Sequence, residues 1–353
     1  MAPPAVNLVL LILALFILIA LIGWFFQTSI HHFVQALVAH RQAKQAETQQ
    51  DIEAAARSLF QPTAFISHTN RLFSTTLQSR ASDPTPTANR ATHFGYETVT
   101  ESVKQERVAE VFTSVAESYD KMNDLMSLGV HRLWKDHFVS SLNPGATNPI
   151  GTPQRILDVA GGTGDIAFRM LQHAHAANAN PNVHVTISDI NPAMLAVGKQ
   201  RSLSLPASHQ SSLSFLEANA EVLPSTIADN SLDLYTVCFG IRNFSNMPAA
   251  LKEAYRVLKP GGIFACMEFS KVDKYPIFNA IYKQWSFSAI PLIGQLVAGD
   301  RDSYQYLVES IERFPSQTEF RDMIAEAGFS IVGKGYEDLT GGVAAIHKGI
   351  KPL

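Results

Sequence analysis

The sequence has few cysteines and no grouped metal-binding side chains. Only two cysteines occur among the 353 residues, Cys238 and Cys266, and both lie in apolar segments. Thiols in this setting are typical of buried side chains in a reducing compartment, so a disulfide framework is excluded. The 12 histidines are scattered, and no His-x-x-x-His or Cys-x-x-Cys motif has metal-ligand spacing. We therefore predict no metal site.

The sequence also lacks an excess of positive charge. Lysine and arginine number 28 against 31 aspartates and glutamates, and the formal net charge is −3. Binding to nucleic acid needs a basic surface, because contacts to the phosphate backbone supply much of the affinity. We therefore expect no nucleic-acid partner.

Charged residues are absent from one long segment near the N-terminus. Residues 6–26 are almost continuously apolar, interrupted by Asn7 and Gly23, and this is about the length of a helix that crosses a bilayer. The segment has no polar face, which disfavours a core helix, and no basic residue precedes it, which disfavours a cleaved signal. We therefore predict a transmembrane helix within residues 1–30. The alternative is a segment that the working protein does not contain.

The composition changes again before the globular part begins. Residues 32–60 are rich in alanine, glutamine and glutamate, and we expect them to be helical. Residues 61–92 are rich in serine and threonine, with several arginines and Asp83 as the one acidic residue, which is typical of an organelle transit peptide. Because a transit peptide normally begins a protein, a disordered linker is the alternative. We interpret residues 31–92 as a helical or disordered extension of transit-peptide-like composition.

The most informative segment is a strand, a glycine-rich turn and a helix in that order. The apolar strand around Asp158 is followed by three closely spaced glycines, Gly161, Gly162 and Gly164. Glycines allow positive φ and close approach of a ligand, and the helix after them directs free N–H groups into the same space. This order is typical of the nucleotide-binding corner of a doubly wound sheet. Because Ala167 fits the last position of the dinucleotide pattern, the spacing leaves a nicotinamide cofactor open.

Strand and helix patterns alternate over the rest of the chain. We predict strands at 155–160, 183–188, 213–217, 232–239 and 262–269, helices at 165–176, 192–203, 248–258 and 316–327, and final strands near 329–336 and 343–348. Strands separated by helices favour a mostly parallel sheet with right-handed crossovers. Gly341 and Gly342 indicate a turn, so the last two strands are expected to pair antiparallel.

Polar residues follow three of the predicted strands. Asp189 ends the second strand, Asn219 and Ala220 follow the third, and Arg242 and Asn243 follow the fourth. Open α/β sheets bind ligands in the crevice at these strand ends, and a carboxylate there can accept both hydroxyls of a ribose. An acid this far beyond the glycines, followed by an asparagine, favours S-adenosylmethionine over NAD. The alternatives are local, with Asp189 as a helix cap and Asn219 as a turn cap.

Two further segments carry a family resemblance. Residues 119–134, YDKMNDLMSLGVHRLW, resemble the N-terminal signature of the ubiquinone/menaquinone biosynthesis C-methyltransferases, and residues 256–270, RVLKPGGIFACMEFS, resemble their C-terminal signature. The resemblance covers residues 93–351 and is closest to the mitochondrial branch. It implies a class I S-adenosylmethionine-dependent methyltransferase: a Rossmann-like α/β fold with a seven-stranded, mostly parallel sheet and an antiparallel last strand. The methyltransferase domain is then residues 93–353.

The resemblance implies methyl transfer from S-adenosylmethionine to a ring carbon of a 2-methoxy-6-polyprenyl-1,4-benzoquinol in ubiquinone biosynthesis. The expected cofactor-binding residues are Asp158, Gly161, Thr163, Asp189, Asn219 and Ala220. The expected catalytic residues are Arg242, Asn243 and His131. Because arginine stays protonated, Arg242 is expected to stabilise a developing phenolate or to polarise a water. His131 titrates in a useful range and is the fallback base, with a structural histidine beside Trp134 as the alternative.

An apolar insertion precedes the last helix. Residues 270–314 are rich in aromatic and aliphatic side chains, and they either form a lid over a lipid substrate or pack as an ordinary helical insertion. We expect Tyr119, Asn123 and Trp285 to contact the substrate, a polyprenyl benzoquinol lipid.

The resemblance also implies partners and a location. It implies membership of a multi-subunit ubiquinone-biosynthesis complex, membrane association on the matrix side of the mitochondrial inner membrane, and a homodimer as one oligomeric state. Two other functions stay open. A demethylmenaquinone or naphthoquinol methyltransferase would share both signatures, and a non-catalytic scaffold of a quinone-biosynthesis complex would keep the fold.

Overall fold

The computed structural model of the protein describes residues 90–116, 123–124, 127, 129–298 and 301–353. The predicted transmembrane helix within residues 1–30, most of the extension 31–92 and Tyr119 lie outside the described residues. Within the described ranges, no helix has both the length and the apolar character needed to cross a membrane. Chain contacts define two units, and residues 84–294 and 300–353 form the larger one.

A small hairpin precedes a seven-stranded sheet. The strands are β1 (Ala91–Phe94), β2 (Glu97–Thr100), β3 (Gln154–Val159), β4 (Val183–Asp189), β5 (Leu213–Glu217), β6 (Leu232–Cys238), β7 (Leu258–Phe269), β8 (Tyr336–Leu339) and β9 (Ala344–Ile350). The large sheet has the spatial order β5-β4-β3-β6-β7-β9-β8. Strands β3 to β7 pair in parallel, whereas β9 runs antiparallel to β7 and to β8. The predicted fold class is confirmed.

Helices cover both faces of this sheet. They are α1 (Glu101–Val115), α2 (Val130–Leu142), α3 (Asp165–Ala176), α4 (Pro192–Ser202), α5 (Ala207–Ser211), α6 (Met247–Val257), α7 (Pro276–Ala298), α8 (Arg301–Arg313) and α9 (Gln317–Glu326). Neighbouring strand residues point to opposite faces, so Ile156 joins a core cluster with Met170 of α3. The next residue, Leu157, joins a second cluster with Leu251 of α6. Each such side chain contributes about 1.5–3 kcal/mol of burial free energy, which fixes the register of the strand ends that carry the site.

One predicted strand is wrong. Residues 329–335 form no strand and make only an isolated bridge from Ser330 to Ile350, so β8 begins at Tyr336. Gly333 and Gly335 lie in this segment at φ 60° and 82°, a backbone conformation that a strand does not contain. The antiparallel pairing through Gly341 and Gly342 is confirmed, with β8 at Tyr336–Leu339 as the partner of β9 in place of the predicted strand.

Several elements have no counterpart in the sequence analysis. The β1–β2 hairpin turns at Gly95, which has φ 56°, and its neighbour Tyr96 stacks on Phe287 of α7. Residues 270–314, which we expected to form a lid or a helical insertion without assigning helix bounds, contain the helices α7 and α8. The hairpin and these two helices therefore lie together beside the main sheet.

Candidate active site

Two adjoining cavities lie at the carboxyl ends of β3, β4, β5 and β6. The larger encloses about 770 Å³, part of it open to solvent, and the smaller about 460 Å³. The larger is lined by Asp158, Gly161, Thr163, Asp189 and Asn243, and the smaller by Asp189, Asn219, Ala220 and Asn243. The structure thus brings together seven of the twelve side chains and backbone positions selected from the sequence.

The glycine-rich turn brings the backbone close to neighbouring atoms. A Cβ on Gly161 would lie 2.9 Å from the Asp158 carbonyl oxygen and from its Oδ2 atom, closer than real contacts allow. Gly162 and Gly164 have φ 45° and 83°, in the left-handed region that favours glycine. Gly164 directly precedes α3, so the first N–H groups of that helix face the turn. The turn is shaped for close approach of a ligand to the backbone.

Asp189 is a buried carboxylate that organises the turn. Its Oδ2 atom accepts a hydrogen bond from the Gly162 N–H at 3.0 Å, and its Oδ1 atom accepts one from the Asn191 N–H at 2.9 Å. Burial raises the pKa of Asp189 to about 6, against the lowering effect of these backbone hydrogen bonds. Each oxygen keeps a lone pair for a further donor. The helix-cap alternative is wrong, because Asn191 caps α4.

Asp158 presents an oxygen that needs a donor. Its Oδ1 atom accepts a hydrogen bond from the Thr236 hydroxyl at 2.7 Å, whereas its buried Oδ2 atom has no hydrogen-bond partner among the described residues. Burial, with a smaller contribution from the nearby carboxylates of Asp165 and Asp189, raises the pKa of Asp158 to about 7 against the lowering effect of the Thr236 hydrogen bond. A buried carboxylate oxygen without a partner is costly. A positively charged ligand group in the cavity would supply the missing donor.

Asn219 has two roles in the structure. Its Oδ1 atom accepts a hydrogen bond from the Glu221 N–H at 2.9 Å, so the side chain closes its own turn, as the local alternative predicted. The same residue lines the smaller cavity beside the buried Ala220. The turn thus fixes the amide plane at the cavity wall.

Arg242 lies behind the cavities in a buried ion pair. Its Nη1 atom is 2.7 Å from Glu268 Oε1 and also donates to the Phe239 carbonyl oxygen at 2.7 Å. The two charged side chains are only 2% and 1% exposed. Burial raises the pKa of Glu268, and Arg242 opposes that rise. Arg242 is not among the residues that line either cavity, so the structure fixes this cation rather than exposing it.

Asn243 lines both cavities, and a residue of the 270–314 insertion holds its side chain. The Tyr306 hydroxyl on α8 donates to Asn243 Oδ1 at 3.0 Å, and the Tyr306 ring stacks on Phe94 at a centroid distance of 4.1 Å. From α1, the Lys104 ammonium donates to the Phe244 carbonyl oxygen at 2.7 Å. Burial lowers the pKa of Lys104 to about 8, with Glu221 opposing this effect. The loop after β6 is therefore held directly from α8 and from α1.

The other predicted residues lie elsewhere. His131 is buried, with Nε2 3.0 Å from Asp124 Oδ1, and burial lowers its pKa; it lines neither cavity. Asn123 is buried and Trp285 half-buried on α7, and neither lines the two cavities. Tyr119 is outside the described residues. The position of His131 agrees with the alternative of a structural histidine.

Lys135 lines the larger cavity and was missed by the sequence analysis. It lies on α2 next to Trp134, one residue beyond the N-terminal signature, and its ammonium is 2.8 Å from Asp165 Oδ2. Trp134, Phe138 and Lys135 are all buried. No clear signal for it is present in the sequence, because α2 mixes polar and apolar residues and only its packing shows that Lys135 is on the buried face, where such a charge needs a partner.

Comparisons with known proteins match this architecture. A model of the ubiE/COQ5 methyltransferase family matches residues 100–351. The protein named 2-methoxy-6-polyprenyl-1,4-benzoquinol methylase, mitochondrial, of Schizosaccharomyces pombe is 53% identical over 80% of this chain and 91% of its own length. Its namesake from Oryza sativa subsp. japonica is 50% identical over 74% and 89%. Ubiquinone/menaquinone biosynthesis C-methyltransferase UbiE of Bartonella tribocorum is 51% identical over 73% and 93%. The matched region includes the sheet, both cavities and both signatures.

Proposed function

The chain belongs to the ubiE/COQ5 methyltransferase family, and on this premise we propose that it methylates a ring carbon of 2-methoxy-6-polyprenyl-1,4-benzoquinol in ubiquinone biosynthesis. Its cofactor is S-adenosylmethionine. The observation that carries the substrate assignment is the 53% identity to a methylase of that name over 91% of the relative's length. The cavity at the strand ends supports the cofactor assignment, because its carboxylates suit a cationic cofactor.

The residues around the larger cavity would hold the cofactor. When bound, S-adenosylmethionine supplies a methyl group activated by its sulfonium. Asp189 would accept hydrogen bonds from the ribose hydroxyls, and Asp158 would accept one from the methionyl ammonium through Oδ2. Gly161 and Thr163 would contact the cofactor from the glycine-rich turn, and Asn219 and Ala220 would hold its adenine end. A short, fixed alignment of the reacting atoms then supplies much of the rate increase.

The residues after β6 would act on the quinol ring. A ring carbon becomes nucleophilic as the neighbouring hydroxyl loses its proton, so positive charge near that oxygen lowers the barrier. Arg242 would supply part of this charge from behind the cavity wall, and Asn243, which lines the cavity, would orient the ring hydroxyl. The ion pair with Glu268 keeps the guanidinium in place through the reaction.

The same proposal assigns roles in binding a lipid substrate to the segments around the site. We assign residues 93–353 to the methyltransferase domain and residues 270–314 to a lid that includes Trp285, with Tyr119 and Asn123 on the covering segment. Because several relatives are named as mitochondrial, we place this protein in mitochondria, on the matrix side of the inner membrane. The same proposal includes association of the chain with the membrane, with a quinone-biosynthesis complex and with a second copy of itself.

Complementation tests this function. The chain, expressed in a fission yeast strain that lacks its own 2-methoxy-6-polyprenyl-1,4-benzoquinol methylase, should restore ubiquinone and remove the unmethylated precursor, as measured by chromatography of lipid extracts. An Asp189→Ala variant at equal protein level should not. Persistent precursor with the wild-type chain would contradict the benzoquinol assignment or favour a non-catalytic scaffold, and full restoration by Asp189→Ala would contradict the proposed role of Asp189 in cofactor binding.

A second substrate has a specific observation in its favour. The bacterial relatives at 51–52% identity are named for both ubiquinone and menaquinone biosynthesis. The alternative is therefore methylation of a demethylmenaquinol or related naphthoquinol. Purified protein offered both quinols with S-adenosylmethionine distinguishes them, because product formation from only one ring identifies the substrate.

A further inference from the structure

Lys135 is the one cation among the described residues that line the larger cavity. The other charged lining residues are the three carboxylates Asp158, Asp165 and Asp189. The Lys135 side chain is 5% exposed. Burial of an ammonium costs free energy unless negative groups compensate it. Its presence in the cavity wall therefore requires a reason.

The contact with Asp165 is only part of that reason. Asp165 Oδ2 is 2.8 Å from the Lys135 ammonium, and Asp165 Oδ1 is 3.1 Å from Arg169 Nε. Burial alone would raise the pKa of Asp165, but the two cations together lower it. Arg169 on α3 also pairs with Asp136 on α2. Because Arg169 already compensates Asp165 and ties the two helices, those tasks do not require a second cation inside the cavity.

The two cavities separate the two ends of the cofactor site. Asp189 lines both, Asn219 lines only the smaller, and Lys135 lines only the larger. With the ribose at Asp189 and the adenine towards Asn219, the methionyl end of the cofactor extends into the part of the cavity that contains Lys135. That end carries one ammonium and one carboxylate.

We propose that Lys135 binds the α-carboxylate of the methionyl group, an inference that rests on the proposed function. The ammonium of Lys135 pairs with the ligand's carboxylate, and Asp158 Oδ2 accepts from the ligand's ammonium. Charge-assisted hydrogen bonds of this kind are short and strong. Asp165, bonded to Lys135, is then a positioning residue that directs the ammonium.

Calorimetric titration of the full-length protein with three ligands tests this role. S-adenosylhomocysteine has both methionyl charges, S-adenosyl-3-thiopropylamine lacks only the carboxylate, and 5′-methylthioadenosine lacks both. In the Lys135→Met variant, the Kd for S-adenosylhomocysteine should rise by about 10- to 100-fold, the range of one charge-assisted hydrogen bond. The Kd values for the two ligands without a carboxylate should not rise.

Two further variants separate binding from structure. Arg169→Met removes the other cation from Asp165 without altering the cavity wall, so its Kd for S-adenosylhomocysteine should stay within about 2-fold of wild type. Lys135→Arg keeps the charge and should bind this ligand more tightly than Lys135→Met. Circular dichroism verifies that each variant is folded.

The outcomes are distinct. An equal loss of affinity for all three ligands in Lys135→Met would make Lys135 structural and overturn the proposal, as would an unchanged Kd for S-adenosylhomocysteine. If Lys135→Met does not fold, the wild-type protein decides: it must prefer S-adenosylhomocysteine over S-adenosyl-3-thiopropylamine by at least about 10-fold, and equal affinity overturns the proposal. Failure of the wild-type protein to bind any of the three ligands would instead contradict the proposed function.

Discussion

The candidate site has a cofactor half, with Asp158 and Asp189, and a transfer half, with Arg242 and Asn243. The two halves differ in how their polar atoms are partnered. In the cofactor half, Asp158 has an oxygen without a partner among the described residues, and both Asp158 and Asp189 have raised pKa values. In the transfer half, Arg242 is neutralised by Glu268 and Asn243 accepts from Tyr306. The first half keeps acceptors available for a ligand, and the second half has its groups fixed before any ligand arrives.

The difference indicates what each half contributes. A raised carboxylate pKa means that burial has made the ionised form costly, so under the proposed function the cofactor half would give up stability for affinity. A buried ion pair that loses one member is strongly destabilising, so the transfer half is coupled to the folding of the whole domain. Substitutions in the first half should therefore alter binding most, and substitutions in the second should alter stability or turnover most.

The largest effect should follow from Glu268→Gln. This variant leaves the Arg242 charge buried without its counterion, and the free energy of unfolding should fall by about 3–5 kcal/mol. Urea denaturation followed by circular dichroism measures it. Glu312→Gln breaks the exposed pair with Lys283 and should cost less than about 1 kcal/mol. Equal losses in the two variants would show that the buried Arg242–Glu268 pair couples the transfer half to folding no more than an exposed pair does.

Asp189→Ala should weaken cofactor binding strongly and reduce the free energy of unfolding only moderately. Loss of two charge-assisted hydrogen bonds to the ribose should raise the Kd for S-adenosylhomocysteine by about 100-fold or more. The free energy of unfolding should change less than in Glu268→Gln, because removal of a costly buried carboxylate offsets the lost backbone contacts. Calorimetry and denaturation of the same preparation measure both. A stability loss larger than that of Glu268→Gln would contradict the comparison.

Acid should weaken cofactor binding through the same carboxylates. Below pH 7 a proton first occupies Asp158, and below pH 6 another occupies Asp189, because burial raises their pKa values to about 7 and about 6. Both must be ionised to accept from the ligand, so affinity falls as the pH decreases, by up to about tenfold per pH unit for each group. Titrations with S-adenosylhomocysteine between pH 8 and pH 5 measure this. Affinity that rises towards low pH would contradict it, and an Asp189→Asn variant should lose the component near pH 6.

The smallest effect should follow from Tyr306→Phe. Loss of the hydroxyl frees the Asn243 amide to rotate, so kcat should fall by about 10-fold while the KM for S-adenosylmethionine stays unchanged. Tyr304→Phe, on the same helix, keeps the contact to Asn243 and is the matched control. Steady-state kinetics with the quinol substrate measure both. A rise in the KM for the cofactor instead would assign Tyr306 to the cofactor half.

More of the cofactor half than of the transfer half could be predicted from the sequence. Asp189 and the glycine turn could be predicted because each follows an apolar strand, and the topology of parallel sheets brings such ends together. The partners of Arg242 and Asn243 could not, because Glu268 lies in a signature without an assigned role and Tyr306 lies in an insertion without a clear period. Lys135 was missed for a related reason, since only the packing of α2 against α3 shows which face is buried.

The β1–β2 hairpin has a consequence for the order of folding. The Tyr96 N–H donates to Glu309 Oε2, a contact between residues 213 positions apart. During synthesis at 5–20 residues per second, the hairpin must wait roughly 10–40 seconds for α8 to emerge from the ribosome. The Phe94 ring cannot stack on Tyr306 before then, so Asn243 obtains its hydrogen bond only when nearly the whole chain has been made. A nascent or truncated chain can therefore form the cofactor turn long before it can hold the transfer residues.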